Sequence, residues 1–298
     1  MRILVTGGSG FIGRHVVSRL RERGDEVSVV DLKPFPDASV PCVVGDLRNR
    51  SVAEAAVVAG LDGVVHLAAI TSVLQSVNEP DAVFHTNVVA TEYLLEQCRQ
   101  LSVPRFVLAS TNAVAGDVGR ATIDESLVLH PLTPYGATKA AAEMLLSAYS
   151  SSYAMTCVAL RFTNVYGAGM QTKDSVIARL MRAALTSGGI QVFGDGEQLR
   201  DYVYVTDAAA AIEHGLSLGG ADVLTIGAGE SVSMNDLHRL ACDVTGVAIG
   251  KEHVPGKPGE MPAVIVDISK AAASGWRPAY TVRDGIAATW EDFSATAG

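Results

Sequence analysis

Short apolar runs rich in β-branched residues alternate with amphipathic stretches through the first half of the chain. The runs predict strands at 2–6, 26–31, 42–46, 63–69, 105–110 and 155–162. The stretches between them predict helices at 12–23, 51–59, 81–101 and 134–150. Because the apolar runs are continuous, the strands are expected to be buried on both faces of a parallel sheet. Alternation of strand and helix then predicts an α/β fold with a doubly wound, Rossmann-type sheet.

The rhythm loosens after about residue 165. Glycine and proline gather at 188–196 and 255–262, and helices are predicted at 174–186, 207–217, 233–245 and 282–293. The pattern predicts a large domain over 1–165 and a smaller C-terminal lobe over 166–298. Some segments of the second half are expected to return to the large domain.

Composition and charge mainly exclude classes of partner and location. The chain has 298 residues and a formal net charge of −9, so no basic surplus is available to displace counterions from a nucleic acid. No apolar run is long and uncharged enough to span a bilayer, and Met1 leads directly into a strand pattern without the apolar region of a signal peptide. Cytoplasmic location, reduced thiols and no metal site are expected from four widely spaced cysteines, Cys42, Cys98, Cys157 and Cys242.

A glycine-rich segment follows the first predicted strand. "TGGSGFIG" (6–13) places Gly7, Gly10 and Gly13 where that strand gives way to a helix. Glycines permit a tight turn and close approach of backbone N–H groups to a pyrophosphate, which the helix N-terminus also attracts. Asp31 closes the next strand, 18 residues after Gly13. A carboxylate there can accept hydrogen bonds from the ribose hydroxyls of NAD and would repel the 2′-phosphate of NADP, so NAD is the predicted cofactor.

A tyrosine and a lysine stand four residues apart in "YGATK" (135–139). Thr133 is a good N-cap and Pro134 suits the first helical position, so Tyr135 is expected to open a helix with Lys139 on the same face. An ammonium near a phenol favours the phenolate, so a lowered pKa is expected for Tyr135. The pair on its own is equally compatible with an exposed tyrosine and lysine on a helix surface.

The ordered set of motifs resembles the extended short-chain dehydrogenase/reductase family, in its nucleotide-sugar epimerase and dehydratase branch. The resemblance covers nearly the whole chain. Besides the glycine turn, Asp31 and "YGATK", it includes "GDL" (45–47), "HLAA" (66–69), "ST" (110–111), "LRFTNVYG" (160–167), "FGDGEQLRDYVYVTD" (193–207), "KPGEMPAVIVDISKA" (257–271) and "GWRP" (275–278).

The resemblance implies a catalytic triad. The family's catalytic hydroxyl lies three residues before a valine, here Val114, so Thr111 would complete the triad with Tyr135 and Lys139. Domain 1–165 would mainly bind NAD. Together with Tyr135 and Lys139, the implied cofactor contacts are Gly7, Gly10, Phe11, Ile12, Gly13, Asp31, Asp46, Leu47, Leu67, Ala68, Ala69 and Asn87.

The resemblance also implies a nucleoside-diphosphate sugar as the substrate, with a UDP-sugar favoured, bound mainly by 166–298. Thr111 would contact the sugar. Matching positions would hold the diphosphate (Asn164 and Arg200), the base (Gln191 and Phe193), the nucleotide ribose (Glu260) and a phosphate (Lys257, where many relatives have arginine).

Residues beside the triad favour one reaction. Dehydratases and decarboxylases of this branch carry acidic residues between the catalytic threonine and the valine, where this chain has Asn112 and Ala113. Epimerisation at C4 through a 4-keto sugar is therefore expected, by an isomerase acting on a UDP-hexose. The alternatives are a sugar-nucleotide dehydrogenase or reductase, a 4-epimerase of a UDP-uronate or TDP-sugar, and a non-catalytic NAD-sensing module. A homodimer is expected through helices 81–101 and 134–150, with Val88, Leu95, Met144 and Leu145 as contacts.

Overall fold

The computed structural model of the protein describes residues 1–256 and 261–296. Its strands are β1 Arg2–Thr6, β2 Glu26–Asp31, β3 Cys42–Val44, β4 Gly63–His66, β5 Arg105–Thr111, β6 Thr122–Ile123, β7 Thr156–Phe162, β8 Asn164–Tyr166, β9 Gly189–Phe193, β10 Leu199–Tyr204, β11 Asp222–Ile226, β12 Ser231–Ser233, β13 Gly250–Val254 and β14 Ile265–Val266.

The helices are α1 Phe11–Glu22, α2 Arg50–Ala56, α3 Val73–Asn78, α4 Pro80–Phe84, α5 Ala90–Gln100, α6 Pro134–Tyr153, α7 Val176–Leu185, α8 Val205–Ser217, α9 Met234–Thr245, α10 Ser269–Ser274 and α11 Val282–Thr296. A π-helical turn, His85–Val89, separates α4 from α5, and a 3₁₀ turn, Asn112–Val114, follows β5. The described helices include none that is long and apolar enough to cross a bilayer.

The chain forms two compact units. The first comprises Met1–Asp117, Glu125–Phe162 and Ala209–Thr225, and the second comprises Val118–Asp124, Thr163–Ala208 and the chain from Ile226. Val118–Asp124 of the first half therefore belongs to the second unit, and Ala209–Thr225 of the second half belongs to the first.

A seven-stranded sheet in the order β11-β7-β5-β4-β1-β2-β3 forms the centre of the first unit. The pairs from β7 to β3 are parallel. Phe106 and Leu108 of β5 belong to a buried cluster with residues of α2, α5 and α6. Val107, between them, points to the opposite face, where Gly215 of α8 packs. Helices therefore cover both faces, and the predicted doubly wound sheet is confirmed.

The strand order reverses beside β1. The chain runs outward from β1 to β2 and β3, and then returns to place β4 on the other side of β1. In sheets of this kind, ligands bind at such a reversal, beyond the carboxyl ends of the strands. The glycine turn follows β1 there, and residues 67–69, which were predicted as part of a strand, leave β4 as a loop at the same edge.

The second unit contains three small sheets. β10 pairs with β8 in parallel and with β12 in antiparallel, while β13 pairs with β9 and β14 with β6. Helices α7, α9 and α11 pack against one another. Tyr166, Tyr202 and Tyr204 form edge-to-face contacts within its buried interior.

Candidate active site

Tyr135 and Lys139 lie on successive turns at the start of α6. The hydroxyl of Thr133 accepts a hydrogen bond from the Gly136 N–H at 3.2 Å, and Pro134 occupies the first turn. This N-cap and proline fix where the helix begins. The sequence prediction of a helix opened by Tyr135 agrees with the structure.

Tyr135 and Thr111 share a hydrogen bond between their side chains. Thr111 ends β5, and its Oγ1 accepts from the Ala113 N–H at 3.2 Å, which leaves its proton to donate to the phenol oxygen. Burial raises the pKa of Tyr135, and the bond from Thr111 lowers it only in part. The expected lowering of this pKa is therefore wrong for the chain alone. The reason is that removal of the phenol from water outweighs the hydrogen bond from Thr111.

Lys139 is almost fully buried, with 3% of its surface exposed. Its Nζ donates to the carbonyl oxygen of Ala109 at 2.8 Å. Burial lowers the pKa of Lys139 to about 8, against an opposing effect of the Glu143 carboxylate. The side chain is thus held beneath the surface of the site by the strand that also carries Thr111.

Asn112 and Ala113 lie beside the first turn of α6. A β-carbon at Gly136 would be 2.8 Å from the carbonyl oxygen of Ala113, so the first turn of α6 packs directly on the 3₁₀ turn after β5. Asn112 and Ala113 are both partly exposed. Neither side chain can act as an acid or base.

Within the glycine turn, Gly10 leaves space for a ligand, whereas Gly7 and Gly13 are packed too closely for any side chain. A β-carbon at Gly7, whose φ is +69°, would lie 2.7 Å from the Ala68 nitrogen, and one at Gly13 would lie 2.2 Å from the Gly7 oxygen. A β-carbon at Gly10 would meet only the Gly7 oxygen, at 3.1 Å. Gly10 is the N-cap of α1 and has no side chain to cap it, so the helix end is open to a phosphate.

Asp31 is brought to the glycine turn. Its carboxylate accepts hydrogen bonds from the Ser9 N–H at 3.0 Å and from the Lys33 N–H at 3.2 Å. The carboxylate is therefore fixed at the carboxyl end of β2, beside the turn, where a ribose of a dinucleotide would lie.

The other predicted cofactor residues divide by environment. Asp46 is held by Arg48 in an ion pair of 2.5 Å, which together with a backbone hydrogen bond lowers the pKa of its carboxyl, and Leu47 is buried. Leu67, Ala68 and Ala69 are partly exposed along the loop after β4, while Phe11 and Ile12 open α1.

Asn87 is buried and holds that loop. Its Oδ1 accepts from the Ile70 N–H at 2.9 Å, and its Nδ2 donates to the Ile70 oxygen at 3.0 Å and to Thr138 Oγ1 at 3.1 Å. Thr138 in turn donates to the Tyr135 carbonyl oxygen at 2.8 Å. Since its amide is engaged within the protein, Asn87 acts on the site by shaping the loop and the first turn of α6.

His66, which the sequence patterns did not single out, lies buried beneath the loop. Its Nδ1 is 2.7 Å from Thr6 Oγ1 and its Nε2 is 3.0 Å from Thr91 Oγ1. Burial and the charge of Lys139 lower the pKa of His66 to about 3, so the ring is neutral. The sequence signal for this residue was a histidine within the apolar run 63–69.

Taken together, the first unit fits NAD. It combines an uncapped helix N-terminus at Gly10, a fixed carboxylate at Asp31 and the partly exposed residues 67–69 of the loop after β4. All three lie at the edge of the sheet where the strand order reverses. Lys139 and Tyr135 lie in the same unit, at the carboxyl end of β5.

Two predicted substrate residues lie on neighbouring strands of the second unit. Asn164 begins β8 and donates from Nδ2 to the Asp201 carbonyl oxygen at 2.9 Å. Arg200 lies on β10, where its guanidinium donates to the carbonyl oxygens of Leu199 at 2.8 Å and Met261 at 2.9 Å. In the parallel pairing of β8 with β10, Asn164 lies opposite Tyr202, two residues along the strand from Arg200.

The other predicted pair lines a cavity of the second unit. Gln191 and Phe193 lie on β9, and the cavity is completed by Val176, Arg179, Ile190, Val192, Gln198 and Met234. Gln198 donates to the Phe193 oxygen at 3.2 Å. An aromatic ring beside amide groups suits a planar, hydrogen-bonding base. Lys257 and Glu260 lie outside the described residues.

The model of the NAD dependent epimerase/dehydratase family matches residues 3–227. The chain belongs to this family. A UDP-glucose 4-epimerase of Corynebacterium glutamicum is 30% identical over 323 residues, which cover 99% of this chain and 96% of that protein.

Solved structures of the family agree over the full length. The UDP-glucose 4-epimerase of Thermus thermophilus in complex with NAD has a TM-score of 0.92 at 34% identity, and 99% of each chain is covered. The UDP-glucose 4-epimerase of Thermotoga maritima with UDP-glucose has a TM-score of 0.93 at 32% identity, and 100% of each chain is covered. The predicted family and the predicted cofactor, NAD, are confirmed.

Proposed function

We propose that this protein is an NAD-dependent 4-epimerase of a nucleoside-diphosphate sugar, with a UDP-hexose as its substrate. Support comes from the Corynebacterium, Thermus and Thermotoga relatives, which are UDP-glucose 4-epimerases. Support also comes from the first unit, in which Thr111, Tyr135 and Lys139 converge at the carboxyl end of β5.

The observation that carries the choice of reaction is the contact between Ala113 and Gly136. It puts Asn112 and Ala113 against the turn that bears Tyr135. Elimination of water from a keto sugar needs an acid and a base beside the reacting carbons. This chain has no titratable group at either position, which favours inversion at C4 over dehydration within a family that contains both activities.

Tyr135 is the proposed base. Its phenolate would accept the proton of the sugar O4, and the phenol so formed would return that proton in the second half of the reaction. NAD supplies a reversible acceptor for the hydride of C4, and its oxidised nicotinamide carries a positive charge. Because burial raises the pKa of Tyr135 in the chain alone, the phenolate depends on positive charge in the assembled site, from Lys139 and from the nicotinamide.

The other two members of the triad have distinct proposed roles. Lys139 would donate a hydrogen bond from Nζ to the nicotinamide ribose. The ammonium would either give up its bond to the Ala109 oxygen or use one of its remaining protons. Thr111 would donate to the sugar oxygen as this changes from hydroxyl to ketone. Inversion requires the keto sugar to present its other face before the hydride returns.

Residues of the second unit are proposed to hold the nucleotide. Arg200 and Asn164 would bind the diphosphate, and the guanidinium would replace bonds to two carbonyl oxygens with stronger bonds to phosphate. Gln191 and Phe193 would contact the base. Lys257 and Glu260 are proposed for a phosphate and the nucleotide ribose. The division into an NAD-binding part over 1–165 and a sugar-nucleotide-binding part over 166–298 is proposed on the same grounds.

A panel of UDP- and TDP-sugars without added cofactor tests the function, with products followed by NMR. We expect inversion at C4, without accumulation of NADH and without loss of water or carbon dioxide. Stoichiometric release of NADH into solution would indicate a dehydrogenase rather than an epimerase. Inversion at C4 confined to uronates or TDP-sugars would show that the substrate is not a UDP-hexose. Absence of any turnover with bound NAD would leave a cofactor-sensing module.

We further propose a homodimer in the cytoplasm. Exposed apolar side chains gather on α3, α4 and α6, namely Leu74, Val77, Phe84 and Met144. Of the contacts expected from sequence, Leu95 is fully buried in the core and Leu145 packs partly against it, so Leu95 is excluded as a contact. Among the described residues, all four cysteines are free, and Cys98 and Cys157 are buried, which suits a reducing compartment.

A further inference from the structure

Three consecutive residues at the end of β5 hold three side chains of α6. The Ala109 oxygen accepts from Lys139 Nζ at 2.8 Å, and Ser110 Oγ donates to Glu143 Oε1 at 2.5 Å. Thr111 shares its hydrogen bond with Tyr135. The three helix residues are spaced four apart, so they form one face of α6 along the edge of the strand.

Arg161 completes this arrangement from the neighbouring strand. It pairs with Ser110 in the register of β5 and β7. Its Nε lies 3.1 Å from Oε1 and 3.2 Å from Oε2 of Glu143, and its Nη2 lies 2.8 Å from Oε2. Both side chains are 5% exposed. Glu143 is therefore tied to two strands of the sheet.

A buried ion pair is a poor source of stability. Removal of two charges from water costs about as much as their attraction returns, and well-packed apolar residues often serve equally well. A role beyond packing therefore accounts better for the pair. The group one turn away from it on the same face is the ammonium of Lys139.

The surroundings of Lys139 leave Glu143 as the group that supports its charge. β4 carries the neutral ring of His66, whose pKa the charge of Lys139 helps to lower, β5 carries the hydroxyls of Ser110 and Thr111, and β7 carries the guanidinium of Arg161, which is paired with Glu143. α6 itself presents Tyr135 and Glu143. Burial lowers the pKa of Lys139 to about 8, and the Glu143 carboxylate is the group that raises it.

We propose that Glu143, held in place by Ser110 and Arg161, is a positioning residue that keeps Lys139 in its charged form at neutral pH. The inference rests on the proposed role of Lys139 in holding the nicotinamide ribose and supporting the phenolate of Tyr135. It assigns the buried ion pair to the chemistry of the site, through a residue that touches neither NAD nor substrate.

Loss of the carboxylate has a predictable sign. Without it, the ammonium of Lys139 releases its proton at a lower pH, since burial then acts unopposed. NAD binding and turnover should each decline with rising pH at a midpoint about 1 pH unit lower than in the wild-type protein.

Glu143→Gln tests this, with Glu54→Gln as the matched control. Glu54 is an exposed residue of α2 that pairs with Arg50. The dissociation constant of NAD is measured by calorimetry from about pH 6 to about pH 10, together with turnover. We expect the pH at which NAD binding and turnover are half lost to be lower for Glu143→Gln than for the wild type. The same pH should be unchanged for Glu54→Gln. Since NAD binding requires no reaction, this arm holds whether or not the protein is an epimerase.

A second variant separates the electrostatic role from packing. The double substitution Glu143→Met, Arg161→Met removes both charges and keeps the volume, and is expected to fold with a melting temperature near that of the wild type. Because this variant loses the guanidinium as well as the carboxylate, we expect its alkaline midpoint to lie between those of Glu143→Gln and the wild type. A wild-type midpoint in Glu143→Gln would reduce the pair to a structural contact and overturn the proposal.

Discussion

Thr6 Oγ1 lies 2.7 Å from His66 Nδ1, and this hydrogen bond has only one consistent direction. Thr91 Oγ1 gives its proton to the Asn87 carbonyl oxygen at 2.7 Å, so it accepts from His66 Nε2. Nδ1 is then the acceptor, and Thr6 donates to it while accepting from the Ala68 N–H at 3.1 Å. A series of hydrogen bonds with one consistent direction thus runs from the loop after β4 to the π-helical turn.

The neutral ring predicts how stability depends on pH. The pKa of His66 is lowered to about 3 in the folded chain, from an ordinary 6.5. Between these values the unfolded chain binds a proton that the folded chain does not, so stability falls as the pH falls through this window. Thermal unfolding from pH 7 downward should show a shallower acid slope for His66→Gln than for the wild type. Parallel slopes would contradict a neutral buried histidine.

Tyr135→Phe keeps the ring and removes the ionisable oxygen. Turnover should fall by roughly two to four orders of magnitude, the usual effect of losing a general base, while sugar-nucleotide binding is largely kept. Calorimetry with a UDP-sugar and a rate assay by NMR measure the two effects. Near-normal turnover would remove Tyr135 from the role of base. Thr111→Val is the milder comparison, because it removes the hydrogen bonds of one hydroxyl and keeps the base.

Asp31→Asn tests the choice of cofactor. The asparagine keeps an oxygen to accept from the Ser9 N–H but loses the negative charge. Affinity for NADP should rise relative to that for NAD, since repulsion of the 2′-phosphate is removed. Titration of cofactor-free protein with both dinucleotides measures the ratio. Tighter binding of NADP than NAD by the wild-type protein would contradict the assignment of Asp31.

Met144→Glu tests the proposed homodimer. Met144 is 62% exposed on α6, and a charge there should oppose a contact between apolar surfaces. Light scattering at micromolar concentration should give a dimer mass for the wild type and a monomer mass for the variant. Val44→Glu is the control, since Val44 is 56% exposed on the edge strand β3. Dissociation by both substitutions would point to general destabilisation.

Local signals predicted the parts of the fold and site that depend on nearby residues. Thr133 and Pro134 identify the start of α6 because capping acts within one turn. The long helix predicted near 81–101 is present as a helical segment from Pro80 to Gln100, but the π-helical turn between α4 and α5 was not predicted. Asn87 lies in that turn and binds Ile70, a contact 17 residues away that no local pattern contains.

Long-range pairing accounts for the other differences. β9 pairs with β13, and β11 joins the central sheet beside β7, although the intervening segments carry no sign of their partners. The direction of Lys139 Nζ toward Ala109 and the raised pKa of Tyr135 also depend on burial, which becomes defined only when β5 and α6 pack.

The position of β11 at one end of the central sheet has a consequence for biosynthesis. Six of its seven strands are complete once Phe162 has been made, but the outer edge of β7 remains without its neighbour until Asp222–Ile226 emerges from the ribosome. An apolar strand with an unpaired edge invites association with other chains. A gene fragment that stops near residue 165 should therefore yield insoluble material, and the nascent full-length chain must pass through a vulnerable interval before its sheet closes.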